Sequence, residues 1–224
     1  MMHAYQHRIV EALCLAALSA CTNVRPALPN NTIVIDHVTI LDGRGGDAVP
    51  DARVVVRGDR IISISRSSQP LPPQQRVIDG TGKFLLPGFI DMHAHLLIPR
   101  CSSDDGPPQF DWALSARSLA RQLDFGITTV RSPATPTKVG LRMRDELNRG
   151  RVRGPHAYAS AELINDSTLS DAQLRQAVRD ALVERPDYFK AYAQLQPSHV
   201  ASLVAEAHKH HIPVIGHLQR TTWM

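Results

Sequence analysis

The sequence is poor in cysteine: Cys14, Cys21 and Cys101 are its three, and no two of them form a CxxC pair. That spacing argues against a zinc site built from thiolates. No apolar run is long enough to cross a bilayer as a mature helix, which needs about 20 residues. Lysine is scarce, and the 25 basic residues are nearly all arginine. They are scattered, with no basic stripe interleaved with aromatics, so the formal charge of +4 describes a solvated surface and not a nucleic-acid footprint. There is no GxSxG elbow, no P-loop and no GxGxxG opening a helix, so serine-hydrolase and nucleotide-binding readings lack support. What is present is an apolar fraction of 43%, ordinary for a folded chain, in 224 residues, enough for one good core or for a small domain plus part of a larger one.

The first 21 residues carry the signs of an address. His3, His7 and Arg8 make a weakly basic start, and Ile9 to Leu18 is a short, mostly apolar run interrupted by Glu11. It ends in Leu18-Ser19-Ala20-Cys21, where small residues suit an extended fit in a peptidase site. A cysteine directly after them resembles the bacterial lipobox. The expectation is a lipoprotein-type signal over residues 1–21, lipidation at Cys21, a tether over 22–31 containing Pro26 and Pro29, and an exported protein that is periplasmic or held on the bacterial membrane by its lipid alone. An amphipathic helix opening a cytosolic protein is the alternative.

Residues 32–83 pattern as short strands. Ile33 to Ile35 and Val38 to Leu41 are separated by one polar pair, and Arg57-Gly58-Asp59-Arg60 fits a hairpin turn between two further strands. From Phe84 the period changes, and apolar runs alternate with helical patterns. Strands are expected at 84–92, 127–131, 156–159, 188–192 and 213–217. Helices are expected at 111–124, 139–148, 171–184 with Ser170 as N-cap, and 198–210 with Ser198 as N-cap. The expected fold class is therefore α/β: an incomplete (β/α)8 TIM barrel of about five βα units over 84–224, preceded by a small β-domain.

The segment Leu86-Pro87-Gly88-Phe89-Ile90-Asp91-Met92-His93-Ala94-His95 carries the strongest chemical signal. Side chains two apart on a strand share a face, so His93 and His95 can offer two imidazoles to one ion. Imidazole suits Zn²⁺ and related ions, and the C-terminal end of a barrel strand is where such folds place their sites. Asp91 shares that face and could orient a ligand without touching the ion. The helix-end histidines His208, His210 and His211 suit a solvated terminus. Asp104 and Asp105 lie in a proline-rich polar loop. Arg100 or Arg131 could take a substrate carboxylate, and the sequence alone does not choose between them.

The segment from Pro87 to His95, with the lead-in Ile78-Asp79-Gly80-Thr81-Gly82-Lys83 and the β-strands before it, resembles the opening of the amidohydrolase superfamily. The likeness is nearest to its imidazolonepropionase-like and Xaa-Pro dipeptidase-like branch, as is Gly126-Ile127-Thr128-Thr129-Val130-Arg131. That branch often has an Asp next, where this chain has Ser132. The resemblance implies two further metal ligands. Asp187-Tyr188-Phe189-Lys190 is similar to the strand whose lysine is carbamylated and bridges two metals. A lysine buried in an apolar strand is costly while charged, and its neutral amine can capture CO2. Ile212 to His217 is similar to the strand whose final histidine binds a second ion.

The resemblance thus implies a metal set of His93, His95, Lys190 and His217, one or two divalent ions with zinc first, and hydrolysis of a C–N amide bond. The expected substrate is a dipeptide or N-acyl amino acid, with a cyclic amide second; a homo-oligomer is compatible. It also implies a histidine after the sixth strand and a proton-accepting aspartate after the eighth. His217 and Asp187 are the last of their kinds here, so no catalytic base is identified in this chain and the expected Asp falls beyond residue 224. On that expectation the 224 residues alone are not a competent hydrolase. The competing expectation is a catalytically inactive lipoprotein that retains metal binding.

Overall fold

Thr32 to Ile40 alternates β-branched residues with polar ones, and it forms one strand, β1 (Thr32–Ile40), not the two expected. The polar pair is absorbed as a bulge. Pairing with β2 (Val49–Arg57) jumps from Ile35↔Val54 to Val38↔Ala52, and His37 takes φ 55. An extra residue accommodated this way bends a strand without ending it. Asp36, at the bulge, is buried and accepts a fork of hydrogen bonds from Arg53, Nε at 2.9 Å and Nη2 at 2.7 Å, with the Ser67 hydroxyl donating as well. The Gly58-Asp59 turn joins β2 to β3 (Arg60–Arg66), with Gly58 at φ 60 and Arg57 opposite Arg60.

The computed structural model describes residues 31–68, 70–71, 76–100, 109–134, 137–162 and 164–217, so the residues bearing the signal, Cys21, Cys101, Asp104 and Asp105 lie outside it. β4 (Arg76–Asp79) and β5 (Phe84–Leu85) both pair in parallel with β1, giving a five-stranded sheet in which β3, β2, β1 and β4 follow in that order. The apolar stretch at 84–92 is not one strand. It breaks at Leu86-Pro87-Gly88, where proline has no N–H to give a ladder. β5 joins β1, whereas β6 (Phe89–Asp91) pairs in parallel with β7 (Ile127–Ser132). The chain divides there into two compact units, Met1–Pro87 and Gly88–Met224. Gly88 is required by a close approach, since a Cβ on it would overlap the Thr128 side chain.

The second unit alternates strand and helix: β6, α1 (Trp112–Gln122), β7, α2 (Thr137–Asn148), β8 (His156–Ala159), α3 (Asp171–Ala181), β9 (Phe189–Ala191), α4 (Pro197–Lys209) and β10 (Val214–Gly216). β6, β7 and β8 form one parallel sheet and β9 and β10 another. A parallel bridge from Ser160 to Tyr188 links the two, so five parallel strands follow one another in chain order. This is an α/β fold. One apolar cluster packs Leu119, Leu141, Met143 and Leu147 on Val130 and Ala157. A second packs Leu174, Val178, Leu203 and Ala207 on Phe189 and Ala191.

The helix starts follow the side chains available. Asp111 caps α1, accepting from Leu114 N at 2.8 Å. Ser170 caps α3 in a reciprocal box with Gln173. The cap of α4 is Gln196 and not the expected Ser198, because Pro197 occupies the first helical position, where its missing N–H costs nothing.

Candidate metal centre

His93 and His95 do not sit on a strand. β6 ends at Asp91, and Met92-His93 is a turn. The alternation argument for a shared face therefore does not hold, and other contacts place the two rings. Asp91 Oδ1 accepts the His93 N–H at 2.9 Å, Arg131 Nε donates to Met92 O at 3.0 Å, and Ala94 N donates to Arg131 O at 3.0 Å. Leu96 N then donates to the hydroxyl of buried Ser132 at 3.2 Å. These bonds pin the turn to the C-terminal end of β7 and leave both imidazoles exposed, with ring centroids 5.7 Å apart. Asp91 thus touches the His93 backbone, not its ring.

His217 follows β10, and its ring stacks at 6.3 Å from His93. Gly216 permits this, because a Cβ there would come within 3.0 Å of Ala191 O on β9. Lys190 lies in β9 and is only 4% exposed. Among the described residues its amine has no hydrogen bond and no ion pair. Asp187 anchors the start of that segment, accepting from Ala159 N at 2.8 Å and from Arg144 at 3.0 Å.

The electrostatics favour neutral bases. Burial pushes the Lys190 amine below the usual lysine range, and the Arg131 charge adds to it. Burial also lowers His95, aided by His93 and Lys190, and lowers His217, aided by Lys190 and His93. Each shift disfavours the charged form, the direction that a metal ligand needs.

Two imidazoles on one ion at ~2.0–2.1 Å place their ring centroids roughly 5–6 Å apart. The His93–His95 pair meets that spacing, and Lys190 could join it only without its positive charge, since an ammonium repels a cation. The donor chemistry therefore fits a divalent cation. Among the described residues, no three His, Cys, Asp or Glu side chains converge tightly enough to hold an ion by themselves.

A cleft of about 410 Å³ opens beside His95, lined by Leu97, Pro99, Phe110 and Ser132 among others. Two residues at the site carried no expected role. Tyr192 packs its ring 4.5 Å from His217, and Tyr188, two residues from Lys190 along an extended segment, lies with its ring 5.8 Å from the Arg131 guanidinium. The period of two around Lys190 was the available signal. His208, His210 and His211 are exposed at the end of α4, away from any cluster. Arg100 pairs loosely with Asp111 at 4.0 Å.

The family model described as the amidohydrolase family matches residues 84–223. An imidazolonepropionase from Streptomyces griseus subsp. griseus is 26% identical over 172 residues, covering 62% of this chain and 42% of that protein. Among solved structures, molinate hydrolase superposes with a TM-score of 0.71 at 20% identity, covering 84% of this chain and 53% of that one. A Xaa-Pro dipeptidase superposes at 0.67 with 19% identity, covering 83% and 55%. The two structures share the fold at these identities. The chain spans about half the length of the relatives it matches or less.

Proposed function

The chain belongs to the amidohydrolase family, and from that premise we propose that it serves a metal-dependent hydrolase of carbon–nitrogen bonds. The five parallel strands in chain order are consistent with part of a (β/α)8 barrel, whose sites lie at the C-terminal ends of the strands. The observation that most supports the reading is the gathering of His93, His95 and His217 with a buried lysine that has no partner among the described residues.

In this reading His93, His95 and His217 hold one or two divalent ions, zinc first, together with Lys190. An ion there supplies Lewis acidity, polarising the scissile carbonyl and acidifying water. The protein's own part is placement. Ser132, Asp91 and Arg131 fix the turn that displays His93 and His95. Leu97, Pro99 and Phe110 give the cleft beside His95 an apolar wall that excludes water and favours an apolar substrate group. Lys190 takes up CO2: the neutral amine forms the N–C bond, one C=O electron pair moves to oxygen, and the nitrogen proton leaves to water. The resulting carbamate is an anion suited to two cations. The substrate is a dipeptide or N-acyl amino acid before a cyclic amide.

A zinc-loaded version extended through the barrel strands that full-length relatives carry should release amine from a panel of N-acyl amino acids and dipeptides. The double variant His93→Ala with His95→Ala should lose bound zinc and turnover together. Equal zinc content in both proteins, or a panel with no turnover above the variant, would reject the reading.

We also propose export and anchoring through a lipid on Cys21, on the strength of the Leu18-Ser19-Ala20-Cys21 segment. Among the described residues no helix is long and apolar enough to cross a membrane.

A further inference from the structure

Two groups near the histidines have capacity that nothing in the hydrolytic reading uses. Arg131 spends Nε on Met92 O. Among the described residues its two terminal nitrogens make no hydrogen bond and no ion pair, although the side chain is half-buried. Tyr188 is 4% exposed, and its buried hydroxyl has no hydrogen-bond partner among the described residues. A buried donor left without an acceptor is disfavoured, and such groups in folded proteins call for an explanation.

The two are neighbours, with the guanidinium carbon 5.8 Å from the Tyr188 ring centroid. The nearby carboxylates are committed elsewhere. Asp91 Oδ1 takes the His93 N–H, and Asp187 takes Ala159 N and Arg144. What the pair lacks is an anion with several acceptor lone pairs. A carboxylate meets that need, because a planar guanidinium binds it in a two-pronged fashion and a phenol can donate to it as well. Arg100, the other arginine considered for this task, is exposed and sits 4.0 Å from Asp111, so the structure separates the two.

We propose that Arg131 and Tyr188 together receive the free carboxylate of the substrate, holding an N-acyl amino acid or dipeptide by its acid end. This rests on the hydrolase reading for the identity of the ligand, not for the existence of the anchor. Arg131 is fixed to Met92 O, so a carboxylate bound there is held at a set distance from the turn that carries His93. The apolar side chain next to that carboxylate then has the cleft beside His95 available to it.

The test is calorimetric titration of the chain with N-acetyl-L-leucine and with N-acetyl-L-leucinamide, which differ only in carboxylate against carboxamide. The wild type should prefer the acid by roughly tenfold, as expected for a charge-assisted pair in a half-buried site. The preference should persist after chelation and vanish in Arg131→Gln. Tyr188→Phe should cut it several-fold without lowering the melting temperature, because the variant removes a hydroxyl that has no partner. No preference in the wild type, or full preference in both variants, overturns the proposal. So does a preference lost on chelation, which would assign the carboxylate to a bound ion. A retained preference with no turnover by the zinc-loaded version extended through the barrel strands of full-length relatives would leave the anchor standing and reject the hydrolase reading instead.

Discussion

His93 and His95 were legible in the sequence as a pair, but the reason they come together was not. Two imidazoles separated by one residue suggest alternation along a strand, whereas the structure places them on a turn held by Asp91, Arg131 and Ser132. The contacts of Arg131 and Ser132 join residues 39 and 36 positions apart, which no local pattern encodes. Lys190 was legible for the opposite reason, since a lysine inside Tyr188-Phe189-Lys190-Ala191 breaks an apolar run. Tyr188 stayed hidden because a tyrosine there looks like core, and only its unpartnered hydroxyl marks it. The proposed carbamate at Lys190 carries a direct test. Burial holds the amine below the usual lysine range, the direction that favours the neutral form that reacts with CO2. In a full-length form, Lys190→Ala should lose the hydrolytic activity proposed for the zinc-loaded protein, and short carboxylic acids should restore it in part by supplying the missing anion. Full activity in the untreated variant would exclude the role.

At the scale of elements, periodicity located the helices and most strands, and proline decided where it failed. Pro87 splits the apolar run at 84–92 between two sheets, and Pro197 moves the start of α4 ahead of Ser198. The polar pair in the first strand had the reverse effect, since a bulge at Asp36-His37 keeps β1 continuous. That bulge has a pH signature. The hydrogen bond from Arg53 is the largest cause that lowers the Asp36 carboxyl to about 2 from its ordinary 3.8, against the opposing effect of burial. A carboxyl with a depressed folded-state value stabilises the fold above its unfolded value, and that contribution is lost as pH falls through the folded one. The shift corresponds to about 2 kcal/mol. The urea midpoint of the chain should therefore fall between about pH 4 and pH 2. Asp36→Asn should remove that part of the pH dependence and lower the midpoint at neutral pH, because it leaves Arg53 buried without its charge partner. An unchanged slope in the variant would show that other carboxyls account for the acid loss.

For the whole molecule, the order of the five parallel strands followed from the change of period at Phe84, since βα units leave a recognisable alternation. The pairing of edges did not, because it depends on what lies beside a strand and not on the strand itself. Among the described residues β6 pairs only with β7 and β10 only with β9, and Phe89, Ile90 and Met92 are each more than half exposed. In the other unit, again among the described residues, β3 pairs only with β2 and exposes Ile61, Ile62 and Ile64. Fractionation belongs to the same scale. If Cys21 carries a lipid, the protein made in a bacterial host should sediment with membranes, and Cys21→Ser should release it. An unmodified Met1 start recovered from the soluble fraction would end that proposal.

Unpaired edges flanked by exposed apolar side chains are templates for another chain, and large exposed apolar patches on soluble proteins mark sites of association. The formal charge of +4 is small for a chain of this length and opposes contact only weakly. Residues 31–217 are therefore expected to self-associate as concentration rises, measured by sedimentation velocity over a hundredfold range. Two variants separate the surfaces. Ile62→Lys with Ile64→Lys puts charge on β3, and Ile90→Lys puts it on β6, the placement by which natural edge strands avoid pairing. The variant on the edge that drives association should move the distribution toward monomer, and salt should reverse the gain by screening the added charge. A monodisperse monomer at every concentration, with no binding of a dye that reports exposed apolar surface, would show that these edges are covered in solution.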